Sequence, residues 1–446
     1  MTNSTLIDNP SMGIYHAKLT DADTAIASVV SGSSVAIGMA AGQPPALLRA
    51  LAARAERGEI DRVKLFYFHA EAPMAQTVLR YELMGRFLPH SLFLQRADRE
   101  LIKRGDKDGR KVVYFIPTAF SQSVRLFAES IPIDTCIATV SPMDAHGYFT
   151  FGTNNDYTSS VARQANQLVV EVNPNMPRVY GGSALHISEV DTIVENDAQL
   201  LELPQRPISD IDRVIGKHVA ALVGDRACVQ IGVGGLPQAV CEELRDRTDL
   251  GIHSEVFTPP MADLVRRGVV TGRFKTLNRG KAVFTFAMGD REMYQFMNDN
   301  IAVESYPVDY VNDPAVIAQN DNVVSVNSTV EMDLTGACNS EHIGGHQFSA
   351  AGGQLDFVRG SYASRGGKSV IAFASTTRGG TISKIVPRLS GPVTSPRNDT
   401  HYVATEYGVV NLKALSTTER AGALIGLAHP DYRGWLTDNA QRMHLI

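Results

Sequence analysis

Glu255 follows the strand-like LGIHS (250–254) and precedes FTPPMADLVRRG (257–268), which reads as a turn with two prolines and then a helix. A carboxylate at the end of a strand can act as a nucleophile and carry a covalent acyl intermediate. The competing reading of a single glutamate is an exposed helix cap or a surface ion pair. About twenty residues upstream lies Gly232-Val233-Gly234-Gly235-Leu236-Pro237, which leads into a helical pattern. Glycines there let backbone N–H groups approach an anion or a developing oxyanion. The same residues also suit a tight strand-to-helix turn, or a dinucleotide loop with Glu255 at the distance of a ribose ligand. Against the nucleotide reading, Pro237 occupies the place where the GxGxxG pattern needs glycine for close helix–strand packing.

A third glycine-rich block comprises Gly344-Gly345-His346-Gln347, then Gly352-Gly353-Gln354-Leu355-Asp356-Phe357, and continues to Gly366-Gly367-Lys368. Glycine loops beside one carboxylate suit a site that grips a flat acyl group and its oxyanion; plain loop flexibility is the alternative. His342 and His346 are four apart, but the glycines between them argue against a helical metal pair, so no metal is expected. No GxSxG elbow is present, so a serine hydrolase of the usual kind is unsupported.

The elements that must hold these residues read as an α/β protein. SSVAIGMAAGQPPALLRALAAR (33–54) gives a buried strand, a tight loop and a helix with proline near its first turn. ACVQIGVGGLPQAVCEELRDR (227–247) repeats that order some 190 residues later. Each copy is followed by His-x-Glu: His69-Ala70-Glu71, then His253-Ser254-Glu255. Two elements in the same order predict two similarly built open α/β domains. Further strands are expected in VKLFYF (63–68), KVVYFIP (111–117), DTCIATVSP (134–142), QLVVEVNP (167–174), NVVSVNST (322–329), KSVIAFAST (368–376) and HYVATEYGVVNL (401–412). Alternation with helices makes both sheets mostly parallel, with ligands at the carboxyl ends of the strands. LELPQRPISD (201–210) is the natural linker, dividing the chain into 1–205 and 206–446.

The chain's 446 residues suit two domains of ordinary size. A net charge of -5 argues against nucleic acid as a general partner. Cys136, Cys228, Cys241 and Cys338 form no CxxC pair, which fits a reducing compartment without disulfides or zinc. The opening MTNSTLIDNPSMG lacks a signal pattern, and no long apolar run occurs, so a cytoplasmic protein without membrane contact is expected.

SPMDAHGYFTFG (141–152), GVGGLP (232–237), HSEVF (253–257), GGQLDFVRG (352–360), GGKSVIA (366–372), TEYGVVNL (405–412) and AHPDYR (428–433) together resemble the class I CoA-transferases of the acetyl-CoA hydrolase/transferase family. The likeness is greatest to the 4-hydroxybutyrate and acetate CoA-transferases, and extends to the itaconate subset. It covers both halves in order. The resemblance implies an active site between two α/β domains, with Glu255 forming an acyl anhydride and then a glutamyl-CoA thioester. It places Gly232, Val233, Gly234, Gly235 and Leu236 at the coenzyme A and oxyanion loop, with Gly352 and Gly353 opposite and Lys368 as a contact to coenzyme A. Coenzyme A would be substrate and covalent intermediate, with no other cofactor.

The donor would be acetyl-CoA or succinyl-CoA and the acceptor a small acid such as 4-hydroxybutyrate, acetate or itaconate; a homo-oligomer is expected. Met39, Glu71 and Phe120 are acyl-pocket candidates from loop position alone. Arg125 and Arg49 are candidate partners for a second carboxylate, against the commoner solvated arginine. One departure is Thr258-Pro259-Pro260, where relatives commonly carry Asp-Gly; it stiffens the loop beside the nucleophile. An acyl-CoA hydrolase with the same site is one alternative, and a non-catalytic coenzyme A-binding protein is another.

Overall fold

The structure is a computed structural model that describes residues 10–204 and 207–446. It divides into two compact domains, each built on a mostly parallel sheet. The first takes the described residues up to Ile116, with Val124–Glu202 and Tyr294–Ile301; the second takes Pro117–Ser123, Leu203–Met293 and Ala302–Ile446. The boundary expected between residues 205 and 206 falls on residues outside those described.

The first sheet contains β1 (Ser34–Ile37), β2 (Val63–Phe68), β3 (Phe87–Phe93), β4 (Tyr114–Phe115), β5 (Thr135–Val140), β6 (Gln167–Val172) and β7 (Thr192–Glu195). They lie in the order β7-β6-β5-β1-β2-β3-β4, every neighbouring pair parallel. Valine, isoleucine and aromatic residues make these runs buried on both faces, as a sheet covered by helices requires. Ile37, Val63, Leu65 and Tyr67 share one core with Leu47, Leu48 and Leu51 of the helix Pro45–Glu56. Of KVVYFIP, Tyr114 and Phe115 alone pair, because β4 is a short edge strand that ends before Pro117.

The second sheet contains β8 (Cys228–Ile231), β9 (Gly251–Phe257), β10 (Ala282–Ala287), β11 (Val303–Ser305), β12 (Val323–Asn327), β13 (Lys368–Ala372), β14 (Tyr402–Thr405) and β15 (Gly408–Asn411). Their order is β15-β14-β13-β12-β8-β9-β10-β11. Apart from the terminal hairpin β14-β15, this is the strand order of the first sheet. HYVATEYGVVNL is therefore two antiparallel strands, because Glu406-Tyr407 turn the chain and Gly408 adopts a positive φ. In both sheets the connection reverses beside the first strand, and the carboxyl ends at that reversal are where α/β proteins bind ligands. Among the described residues no helix is long and apolar enough to cross a membrane, and no group of three potential metal ligands occurs.

Candidate active site

Glu255 lies inside β9, which runs on to Phe257, whereas the sequence suggested that the strand ends before it. The parallel register pairs Cys228 with Gly251 and Val229 with Ile252. Continued along the strands, it sets Glu255 level with Gly232, the first residue past β8. Side chains two apart in a strand share a face, so His253 and Glu255 point the same way. His253 is fully buried, and its Nε2 is 2.8 Å from the carbonyl oxygen of Val311, at the end of the short helix Val308–Val311. Burial, helped by the charge of Lys275, pushes this imidazole down to about 3, so it is neutral and donates through Nε2–H. The bond fixes the end of that helix. The next residue, Asn312, then places Nδ2 2.6 Å from Glu255 Oε2.

The main chain of Gly353 comes up against the same carboxylate. A Cβ built on Gly353 would collide with both Glu255 Oε2 and Asn312 Nδ2, so this position needs glycine for the main chain to lie against the carboxylate. Gly353 also starts the helix Gln354–Ala363, whose first turn carries Asp356. Asp356 accepts from Ser121 twice, on Oδ1 at 2.8 Å from Oγ and on Oδ2 at 3.2 Å from the backbone nitrogen.

Burial raises Glu255 from 4.5 to about 7, with Asp356 adding to the rise while Asn312 and Gly353 oppose it. Burial likewise raises Asp356 to about 6, against the bonds from Ser121. A carboxylate that is poorly hydrated and yet partly accessible is a better nucleophile than one in bulk water.

Gly232, Val233 and Gly234 line a cavity of about 390 Å³ together with Pro204, Gln238, Thr258, Pro259, Pro260 and Met288. Val233 is 55% exposed, and nothing lies within 4 Å of a Cβ built on Gly232. Gly234 has φ +131 and caps the helix Gly235–Glu243, whose first two residues are Gly235 and Leu236. Pro259 and Pro260 do not form a separate turn before a helix; they are the first residues of the helix Pro259–Arg266, where proline's missing N–H costs nothing.

Other candidate residues fall in different places. Gly352 has φ +55 and its carbonyl accepts from Phe120 N at 3.0 Å, while the Phe120 ring lies edge-on to Phe286. Phe120 therefore belongs to the second domain beside the Gly352-Gly353 turn. Gly344 and Gly345 form the turn of a small hairpin between His342–Ile343 and His346–Gln347, where their positive φ values are required. Lys368 is not brought to Glu255: it begins β13, at the amino edge of the sheet, and its Nζ bonds the Leu222 carbonyl at 2.8 Å. Met39 is buried in the first domain. Glu71 follows β2 and is raised to about 7 by burial and by Asp98. The Arg125 side chain is 80% exposed and pairs with Glu129 one helical turn on.

Asn312, Asp356 and Ser121 went unpredicted. Asp356 lay within the block GGQLDFVRG, but nothing in its spacing tied it to Glu255. Residues 8–203 match the acetyl-CoA hydrolase/transferase N-terminal domain and residues 289–440 match the C-terminal domain of the same name. A succinyl-CoA:cyclohexane-1-carboxylate CoA transferase of Geobacter metallireducens is 42% identical over 434 residues, 97% of each chain. The chain belongs to the acetyl-CoA hydrolase/transferase family. It is a CoA-transferase of that family, acting between an acyl-CoA and a carboxylate. The 4-hydroxybutyrate coenzyme A transferase of Clostridium kluyveri is 40% identical, over 94% of this chain and 96% of its own. Among solved structures, RipA from Yersinia pestis is 57% identical and superposes with a TM-score of 0.96, over 98% of this chain and all of its own. Glu255 and the Gly232 loop lie in the stretch between the two domain matches, which the full-length alignments span.

Proposed function

We propose that Glu255 is the nucleophile of this CoA-transferase and holds coenzyme A as a thioester on its side chain. The observation that carries the reading is the Asn312 Nδ2 donor 2.6 Å from Oε2, with the Gly353 main chain close by, on a carboxylate at the ligand-binding edge of the second sheet. With Asn312 on Oε2, Oε1 is the attacking oxygen. It adds to the acyl-CoA carbonyl carbon, the C–S bond breaks, and coenzyme A leaves as thiolate, giving a mixed anhydride. The thiolate then adds to Cδ of Glu255, the Cδ–Oε1 bond breaks, and the first acid leaves as its carboxylate. During that second addition negative charge develops on Oε2, where Asn312 is already 2.6 Å away. Removing one such donor typically costs about 2.7–4 kcal/mol. An incoming carboxylate reverses both steps, so thioester energy is conserved without ATP.

The acyl donor is acetyl-CoA or succinyl-CoA and the acceptor a small acid of the 4-hydroxybutyrate, acetate or itaconate class; the names of the Geobacter and Clostridium relatives support small-acid chemistry of this kind. Incubation with acyl-CoA alone tests the reading by intact mass. A coenzyme A adduct removable by hydroxylamine is expected on the wild type and absent from Glu255→Ala; an equal adduct on the variant overturns it. Thiol release with and without acetate, 4-hydroxybutyrate, succinate or itaconate then identifies the acceptor. Release that is equally fast without an acid identifies a hydrolase.

A further inference from the structure

The cavity beside the Gly232 loop is lined from the second domain alone, by the turns after β8, β9 and β10 and by the chain at Leu203, Pro204 and Pro207. Among the described residues that line it none is charged; Gln238 and Thr258 are its polar side chains, and the rest are glycine, proline, valine, leucine and methionine. A helix start ordinarily leaves its first N–H groups free for an anion. Pro259 and Pro260 have no such groups, whereas Gly235 and Leu236 at the neighbouring helix start keep theirs. Donors therefore belong to the glycine-loop side of the cavity, and the proline side is apolar. That side is also tightly packed: a Cβ on Gly289 would come within 2.8 Å of Pro259 Cγ, and Met288, only 6% exposed, donates its N–H to the Phe257 carbonyl at 3.1 Å.

Position gives the cavity a task. It begins at Gly232, level with Glu255 on the neighbouring strand, where nothing lies within 4 Å of an added Cβ. An acyl group at Glu255 thus has open space past the backbone of Gly232, and the volume of about 390 Å³ is within the roughly 300–1,000 Å³ of small-molecule pockets. We propose that this cavity receives the apolar tail of the acyl group, so that the enzyme also takes butyric, hexanoic and cyclohexanecarboxylic acids, beyond the small acids named above. A dicarboxylic acid gains nothing there, because its second carboxylate would lose water without meeting a cation among the described lining residues. The inference rests on Glu255 being the nucleophile.

Initial rates with acetyl-CoA and a series of acceptor acids test it. In the wild type, KM for the acid should fall from acetate through butyrate to hexanoate by about three- to fourfold per methylene buried, and cyclohexanecarboxylate should be accepted. Leu203→Trp, at a half-buried position on the cavity wall, should cost hexanoate and cyclohexanecarboxylate about tenfold or more in kcat/KM while acetate stays within about twofold. Met288→Ala should do the reverse, raising the ratio of hexanoate to acetate, and it carries the test if Leu203→Trp does not fold. A KM that is flat or rises with chain length in the wild type, or variants that change acetate and hexanoate equally, would overturn the proposal. Glu255→Ala separates the two readings: if it still turns over acetate the nucleophile is wrong, whereas if it is inactive while the wild type ignores tail length, only the tail site fails.

Discussion

The two domains set the same strand order around the same sequence elements and use them differently. In the first, the turn after β1 is closed: Gly38 to Pro44 are buried, a Cβ on Gly38 would collide with the Gly42 carbonyl, and one on Gly42 would come within 2.9 Å of Asn154 Cβ. In the second, the turn after β8 is open, with Val233 exposed and free space around Gly232. Glycine serves tight packing in one place and access to the backbone in the other. The carboxylates that follow diverge as well. Glu71 and Glu255 are both raised to about 7 by burial, and both feel a second acid, Asp98 or Asp356. Glu255 accepts from the Asn312 amide at 2.6 Å, while Asp356 accepts from Ser121. Asp98 is satisfied elsewhere, by Tyr67 at 2.6 Å and the Gln95 backbone at 2.7 Å, and among the described residues no donor is aimed at the Glu71 carboxylate. A buried carboxylate alone has the basicity of a nucleophile. An amide donor held against the carboxylate is what the second domain adds.

The largest effect that could break this comparison is expected from Gly353→Ala. The added methyl displaces the Asn312 donor from Glu255, so turnover should fall by about 100-fold or more while the far-ultraviolet circular dichroism spectrum stays that of the wild type. Near-normal turnover would mean that the Gly353 and Asn312 contacts do not matter to the chemistry. A smaller contrast sharpens the account of the two turns. Gly42→Ala overfills a closed turn and should cost about 1–3 kcal/mol in denaturant unfolding, whereas Gly232→Ala meets no neighbour and should leave stability within about 0.5 kcal/mol. Equal losses would remove the distinction between closed and open turns.

The smallest effect is on stability against pH. Glu255 has its folded value raised above 4.5, so its contribution is fully present below pH 4.5 and is lost as pH rises through about 7. Glu255→Gln stays neutral throughout. Its Tm relative to the wild type should therefore be higher at pH 8 than at pH 5, and a difference independent of pH would contradict a raised Glu255.

Much of this frame was legible in the chain. VKLFYF is β2 residue for residue, and the repeated loops follow the first strand of two sheets of one order, although His69-Ala70-Glu71 falls just past β2 whereas His253 and Glu255 lie inside β9. Glu255 could be singled out because the glycine loop is near it in sequence. Its partners could not, since Asn312 is 57 residues away at the end of a four-residue helix and Ser121 is 235 residues from Asp356. Tertiary folding alone brings them together, and neither lies in a periodic pattern. The place of Lys368 follows from the glycines before it: Gly366-Gly367 precede β13, so the lysine stands at the amino edge of the sheet.

The most direct test of the account is to trap the coenzyme A adduct with acyl-CoA and locate it by peptide mapping and tandem mass spectrometry. The account predicts a modification on the peptide containing Glu255, with the peptide containing Glu71 unmodified. A modification at Glu71, or at any residue other than Glu255, would contradict it.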